Sequence, residues 1–377
     1  MPERFPILVL GGYGVFGSRI CRRLARDPGI RLIIAGRSAA RAESMADAVY
    51  AETPDAEAMG IAIDMNENLG AVLDAQRPKL LIHTVGPYQG QHYRVVEQCI
   101  ERGIHYLDLA DDRTFVAKFD RLNAAAKKQK TLAVTGVSTL PGLSSAVVES
   151  LRPKFARMRE LSIGITPGNR TPRGLAVVAA ILSYAGKPMP RWTAGRWSYT
   201  HGWQDMQQRS IQGPTIGALG LRWFAACDVP DQALFPGRYP ELERVTFHAG
   251  LELWLLHFGL WGFSWSVRLG LVRKLDAAAP FFKQVADRLE PFGTDRGGMF
   301  VEITGEDVDG NPLTKSWQLI AGAGDGPWIP CIPAVILARK LAHDEIKTRG
   351  AMPCCNMITL AEFADAVSDL DIAFETV

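Results

Sequence analysis

The sequence has no hydrophobic run long enough to cross a membrane. The hydrophobic, charge-free stretch Leu253–Val267 falls short of the ~20 residues a spanning helix needs. It also has no excess of one charge. Lys and Arg number 42 against 40 Asp and Glu, a net charge of +2, so charge gives no case for a nucleic-acid partner. Cysteine is sparse: Cys21, Cys99, Cys227, Cys331, Cys354 and Cys355, none in a C-x-x-C or a Cys/His metal spacing. The expectation is reduced thiols and no metal. There is no internal repeat and no low-complexity segment. No targeting signal is visible, because the Ile7–Leu10 run is too short for a signal core and glycine follows it. A cytoplasmic protein is expected.

What is present is an ordinary globular composition, 47% hydrophobic and 22% charged over 377 residues. At about 100–200 residues per domain, this length suggests two domains. The first part alternates short apolar runs with amphipathic segments. The runs are Pro6–Gly11, Arg31–Gly36, Ala58–Asp64, Lys79–Thr84, Ile104–Leu107 and Thr131–Thr135. Helix patterns over Ser18–Arg26, Ala39–Val49, Tyr93–Arg102 and Thr114–Lys128 stand between them. Such alternation predicts an α/β fold, a Rossmann-type doubly wound parallel sheet. After the turn-rich Ser138–Gly142 the pattern changes to a second, α+β domain. Strands are expected at Leu161–Thr166, Met299–Thr304 and Leu313–Ile320, the last two joined at Asp309-Gly310. Helices are expected at Leu143–Leu151, Leu175–Tyr184, Leu251–Val272, Ala334–Leu341 and Leu360–Val367. Residues 186–244 yield no assignment. The expected domains are 1–140, 141–330 and a helical segment 331–377, which could return to the first.

The chemistry concentrates in Gly11-Gly12-Tyr13-Gly14-Val15-Phe16-Gly17, between the first strand and the first helix. Gly12, Gly14 and Gly17 fit G-x-G-x-x-G, and Gly11, Gly14 and Gly17 equally fit G-x-x-G-x-x-G. In such a turn one glycine allows the bend, one lets backbone reach a pyrophosphate and one lets helix pack on strand. The helix start adds free N–H groups and a partial positive charge, so Val15 and Phe16 belong to the same site. No Gly-Lys-Ser/Thr follows, which excludes an ATPase phosphate loop. The second strand ends in Ala35-Gly36-Arg37-Ser38, without the acid that would bond a ribose 2′-hydroxyl. Arg37 and Ser38, with Arg41 as a third contact, suit a 2′-phosphate and favour NADP(H). Asp64 is either near the adenine or a helix N-cap. Val85, Gly86 and Pro87 fall where the fourth strand ends, beside the expected dinucleotide path.

For proton transfer the candidates by position are Tyr88, His92 and Asp111. Each has a plainer reading: Tyr88 as loop packing, His92 as a solvated residue, Asp111 or Asp112 as a cap. Asp108 and Ser138 follow the fifth and sixth strands. Trp254, Phe258, Trp261 and Trp265 share one helix face. That face reads as core, as a dimer interface, or as a peripheral membrane contact aided by Arg268, Arg273 and Lys274.

These residues resemble the saccharopine dehydrogenase-like family of NADP-binding oxidoreductases. The resemblance rests on Val9–Gly17 running into Ser18-Arg19-Ile20, Ala35-Gly36-Arg37, Val85-Gly86-Pro87-Tyr88, Gly103–Leu109 and Gly136–Leu143. It covers about the first 150 residues. Arg296-Gly297-Gly298-Met299 is similar to uncharacterised bacterial members. The resemblance implies a Rossmann domain, a substrate domain that often dimerises, NADP(H), and redox chemistry at carbon–nitrogen bonds or, in other relatives, lipid enoyl groups. No cationic cluster matching a dicarboxylic amino acid is apparent in the second domain, which disfavours saccharopine itself. The expectation is an NADP(H)-dependent oxidoreductase of a small or amphipathic substrate, with a second copy of the chain as its partner. Two alternatives stay open: a non-catalytic NADP(H)-binding sensor or scaffold, and a membrane-peripheral lipid reductase.

Overall fold

The computed structural model describes residues 4–172, 174–213, 217–273 and 275–377. The chain divides into two compact units. One comprises Met1–Leu143 and Trp328–Ala366, the other Ser144–Pro327 and Val367–Val377.

The first unit begins with β1 (Phe5–Leu10), α1 (Gly17–Ala25), β2 (Ile30–Gly36), α2 (Ala39–Glu52) and β3 (Glu57–Ala62). It continues with α3 (Leu69–Gln76), β4 (Leu80–His83), α4 (Arg94–Glu101) and β5 (His105–Asp108). Then come α5 (Arg113–Ala117), α6 (Asn123–Lys128) and β6 (Leu132–Thr135). The strands are short and apolar because both faces are covered. Ile7, Leu8 and Val9 of β1 and Leu80, Leu81 and Ile82 of β4 are fully buried. α1 turns Ile20, Cys21 and Leu24 inward. Ser38 and Asp112 accept N–H bonds from Arg41 and Phe115 and so start α2 and α5.

The second unit runs through α7 (Ser144–Leu151), β7 (Arg157–Thr166), α8 (Leu175–Tyr184), β8 (Pro188–Thr193) and β9 (Arg196–His201). Next are β10 (Gln207–Ser210), β11 (Leu221–Ala226), α9 (Asp231–Arg238) and β12 (Arg244–Ala249). It closes with α10 (Trp254–Arg268), α11 (Ala279–Arg288), β13 (Gly297–Glu306) and β14 (Pro312–Ala321). The chain then returns to the first unit with α12 (Ile332–Ala342), β15 (Gly350–Pro353) and α13 (Leu360–Ala366). The last strand, β16 (Ile372–Thr376), joins the second sheet.

The first sheet has the order β15-β6-β5-β4-β1-β2-β3, and its pairings among the described residues are parallel. It is the doubly wound Rossmann order, extended at one edge by β15. The second sheet has the order β10-β11-β12-β7-β13-β14-β16, with β8 and β9 as a side hairpin. Among the described residues, only the β12–β7 pair on that path is parallel. Leu161, Ile163, Val245, Met299, Val301 and Ile303 fill one face. Ser162, Thr246, Glu302 and Thr304 alternate onto the other.

Three expectations need correction. Residues 186–244, where the sequence offers no assignment, hold β8 to β11, α9 and the start of β12. The segment from 331 is not only helical, since it carries β15 and β16, and it is shared between the two units. The helix expected over Leu251–Val272 is α10, and it does not bury its aromatic stripe. Its buried residues are His257, Leu260 and Ser264, whereas Trp254 is 68% exposed and Leu255 54%. Of the stripe itself Trp254 is exposed, while Phe258, Trp261 and Trp265 are half-buried, Phe258 against Trp223. Arg268 lies against Trp265, its guanidinium 4.7 Å from the ring centroid, and Lys274 lies outside the described residues. Among the described residues, no helix is long and apolar enough to cross a membrane.

Candidate cofactor site

The sheet order reverses between β1 and β4, the switch point where ligands of this fold bind. The loops after these two strands meet there. A Cβ on Gly11 would stand 2.6 Å from Thr84 Oγ1 and 2.9 Å from Val85 Cγ2. Thr84 Oγ1 donates to Leu10 O at 2.9 Å and ties the loops together.

The four glycines of the turn have different reasons to be glycine. Gly11 has φ +83°, a left-handed conformation that makes the bend. Gly12 faces Ile34 and Val9 at 2.8 and 2.9 Å from a would-be Cβ. Gly17 would put a Cβ 2.2 Å from Gly11 O, so α1 can lie against the turn only without one. Gly14 differs. Among the described residues, its would-be Cβ has one neighbour within 4 Å, Gly11 O at 3.1 Å. That contact is tight but the mildest of the four, so Gly14 is the glycine least constrained by packing among those residues. Val15 and Phe16 are half-buried at the start of α1, whose first amides lack intrahelical acceptors. That combination fits a dinucleotide pyrophosphate.

The end of β2 forms a cationic corner. Arg37 is exposed, and Ser38 caps α2 with Oγ 3.4 Å from the Arg41 N–H, leaving its hydroxyl proton to donate elsewhere. Sequence reasoning misses Tyr13. Its hydroxyl accepts the Ser38 N–H at 3.0 Å, and its ring covers Gly36, where a Cβ would be 2.5 Å away. Arg41 stacks on that ring at 4.5 Å. Tyr13 thus holds Ser38 and Arg41 in place beside Arg37. Asp64, two residues past β3, does not cap α3, whose N-cap position is Asn68; it shapes the turn between them. Its Oδ1 accepts from Asn66 N at 2.8 Å, and its own N–H donates to Asn68 Oδ1.

Val85, Gly86 and Pro87 follow β4 as a partly exposed loop. Gln91, which sequence reasoning also misses, clamps it by donating Nε2 to Val85 O at 2.9 Å and to Pro87 O at 2.7 Å. Tyr88 is buried and its hydroxyl donates to His83 O at 2.7 Å. Burial, then the nearby Asp108 carboxylate, raises its phenol well above the usual range. The proton expected for transfer is already committed to main chain, and Tyr88 packs the loop. His92 is exposed just before α4.

Asp108, the last residue of β5, is fully buried and pins strand ends. Its Oδ1 accepts from Ala110 N at 3.0 Å, Thr135 Oγ1 at 2.8 Å and Gly136 N at 2.9 Å. Burial pushes its carboxyl up to about 6. His83 is buried with Nδ1 3.0 Å from Tyr106 Oη, and burial brings it down to about 4, so it is neutral at neutral pH. Asp111 is exposed to solvent, yet the protein bulk around it pushes its carboxyl up to about 6. Gln89 Nε2 lies 3.4 Å from its Oδ1. Asp112 Oδ1 caps α5 through Phe115 N at 2.7 Å. Ser138 sits half-buried after β6.

Residues 7–137 match the family model described as saccharopine dehydrogenase NADP binding domain. This domain belongs to that family. Its cofactor is NADP(H), in keeping with the open Gly14 and the Arg37 corner. In fold, the whole chain is similar to apo saccharopine dehydrogenase (L-Glu forming) from Saccharomyces cerevisiae. That match has a TM-score of 0.65, 15% identity and 99% of each chain covered. An amine dehydrogenase from Mycobacterium smegmatis matches at 10% identity and a TM-score of 0.48, over 94% of this chain and 95% of that one. A mutant meso-dapdh from Clostridium tetani matches at 12% identity and a TM-score of 0.43, over 97% and 99%. Identities this low establish likeness of fold alone. No curated protein matches the chain in sequence.

Proposed function

We propose that this protein is an NADP(H)-dependent oxidoreductase that acts on a small or amphipathic substrate at a carbon–nitrogen bond. The observation that carries the reading is the glycine turn at the switch point, where Gly14 is the least constrained of the four glycines by packing among the described residues. The saccharopine dehydrogenase-type domain and the yeast enzyme's fold support the choice of bond. When bound, NADP(H) supplies hydride-transfer chemistry. Reduction of a C=N bond adds a hydride at carbon and a proton at nitrogen. The chain's own part is to hold the substrate and deliver that proton. Asp111 is the group suited to it, being accessible with a carboxyl at about 6.

The test is NADPH oxidation by the purified chain with imines formed from carbonyl and amine pairs. Reduction needs the acid form of Asp111, so its rate should fall as pH rises through about 6. Asp111→Asn should lower kcat by about 100-fold or more and abolish that limb, with NADPH affinity unchanged. A variant that keeps both the rate and the pH limb removes Asp111 from the chemistry. If no imine or amine supports turnover, the carbon–nitrogen assignment goes with it.

Cofactor choice is tested separately. Arg37 offers a planar cation at the end of β2, where no acid stands. Arg37→Asp should weaken NADPH binding by about 10–100-fold, the worth of a lost charge-assisted bond, and leave NADH binding little changed. Equal effects on the two cofactors in calorimetry would place the 2′-phosphate elsewhere.

A further inference from the structure

The end of α10 turns apolar side chains outward. The helix stops at Arg268, and Gly270, at φ +76°, reverses the chain. Gly270 N–H donates to Val267 O at 3.0 Å, and Leu271 N–H donates to Ser266 O at 2.9 Å. In a cap of this kind the apolar residue after the glycine usually packs back on the helix. Here Leu271 is instead 77% exposed, Leu269 is 67% exposed, and Val272 is exposed beside them. The exposed apolar surface continues along α10 and onto its neighbour. Leu255 and Phe263 are exposed on α10. Phe263 meets Phe282 of α11, with ring centroids 5.2 Å apart, next to exposed Phe281. All of these residues belong to the second unit.

Two features suit this surface to a lipid boundary. Its polar atoms are already bonded within the helix end. Besides the two cap amides, Leu269 N–H donates to Trp265 O at 2.9 Å and Val272 N–H to Ser266 O at 3.2 Å. The Ser264 and Ser266 hydroxyls donate back to the Trp261 and Phe263 carbonyls, each at 2.7 Å. Groups satisfied in this way can leave water at little cost. The charge nearby also has one sign. Residues 253–275 include Arg268, Arg273 and Lys274 but no Asp or Glu. Arg268 and Arg273 are exposed, one before and one after the tip 269–272. The acids that flank the stretch are Glu252, which pairs with Arg222, and Asp276, which is half-buried. On α11, Asp287 pairs with Lys283.

These features choose among occupants. A second copy of this chain, meeting the face about a two-fold axis, would bring arginines toward arginines with no acid in the stretch to receive them. An anionic bilayer accepts both parts of the surface. Apolar side chains enter the acyl boundary while the cations stay among the headgroups. We propose that the end of α10, with the tip 269–272, docks this protein on the surface of an anionic membrane. The contact is peripheral, since among the described residues no helix is long and apolar enough to cross. It stands independently of the redox reading.

The test is cosedimentation of the full chain with vesicles. One set is phosphatidylcholine alone, and the other is equal parts phosphatidylcholine and phosphatidylglycerol. The expected result is binding to the anionic vesicles, weakened by high salt, and none to phosphatidylcholine alone. Leu271→Ser should weaken that binding at least about tenfold, the worth of one leucine side chain withdrawn from lipid. Arg273→Gln should weaken it about fivefold, the worth of one cation at such a surface. Both side chains are exposed, so melting temperature and NADPH affinity should stay unchanged. Sedimentation velocity without lipid examines the second copy as occupant. The proposal is overturned if anionic vesicles do not bring the chain down, if phosphatidylcholine alone binds as well, or if both variants bind undiminished. It is equally overturned if the parent forms a dimer that Leu271→Ser dissolves, because the face then joins two copies.

Discussion

Gly14→Ala is expected to leave the protein folded and unable to hold its cofactor. The new methyl would meet Gly11 O at 3.1 Å, which a shift of a few tenths of an ångström relieves. No other atom of the described residues within 4 Å resists it. The backbone can no longer approach a pyrophosphate, and the lost charge-assisted bonds are worth about 100-fold or more in affinity. Gly17→Ala should do the reverse. Its methyl would meet Gly11 O at 2.2 Å and Gly12 Cα at 2.8 Å, both backbone atoms that cannot swing aside. Displacing α1 should cost about 1–3 kcal/mol of stability or more. Thermal melts and NADPH calorimetry on both variants separate the two roles. If Gly14→Ala binds NADPH as the parent does, the pyrophosphate does not pass this turn.

The second large effect is a pH-dependent gain in stability from Asp231→Asn. Asp231 is fully buried in the first turn of α9, where Ser144 Oγ donates to its Oδ1. Its other oxygen, Oδ2, has no hydrogen-bond partner among the described residues. Burial pushes its carboxyl up to about 7 from 3.8. Between those values the folded protein holds a proton that the unfolded chain releases, so this group's contribution falls as pH rises toward 7. Above 7 the full cost applies, on the order of 4 kcal/mol at about 1.4 kcal/mol per pH unit. Asn keeps the shape and carries no charge. The variant should match the parent near pH 4 and exceed it by several degrees in melting temperature at pH 8. Buried His83 and His257 and half-buried His105, each lowered to about 4 chiefly by desolvation, work the other way. They lose stability as pH falls below about 6.5. They are common to both proteins and cancel in the comparison. A difference that does not change with pH would mean that Asp231 ionises normally.

The sequence is most legible where a function is local. A Rossmann turn lies within seven residues, and each strand beside it is a continuous apolar run, so pattern alone places Gly11–Gly17 and Arg37. The choice between two glycine frames stays open at that level, because φ +83° at Gly11 is a property of the backbone path. Tyr13 is illegible for a related reason. Its role depends on reaching Ser38, 25 residues on, across the top of the sheet. The Tyr88 side chain is typical of a proton relay, and only its bond to His83 O shows the hydroxyl to be occupied.

Residues 186–244 are illegible because their strands lack the usual signal. β10, Gln207–Ser210, has no apolar residue at all, since it lies over a polar face. Separation along the chain also explains why no cationic cluster is apparent in the sequence of the second domain. Arg191, Arg209 and Arg244 are far apart in sequence, and only the tertiary structure brings them, with their carboxylate partners, around one cavity. By itself, the sequence determined the parallel α/β class, the glycine turn after β1 and the cationic end of β2, because periodicity and short motifs encode local structure directly. The tertiary structure decided which polar groups are buried, which are already bonded and which face a ligand. Those properties depend on contacts between residues distant along the chain, and no local pattern carries them.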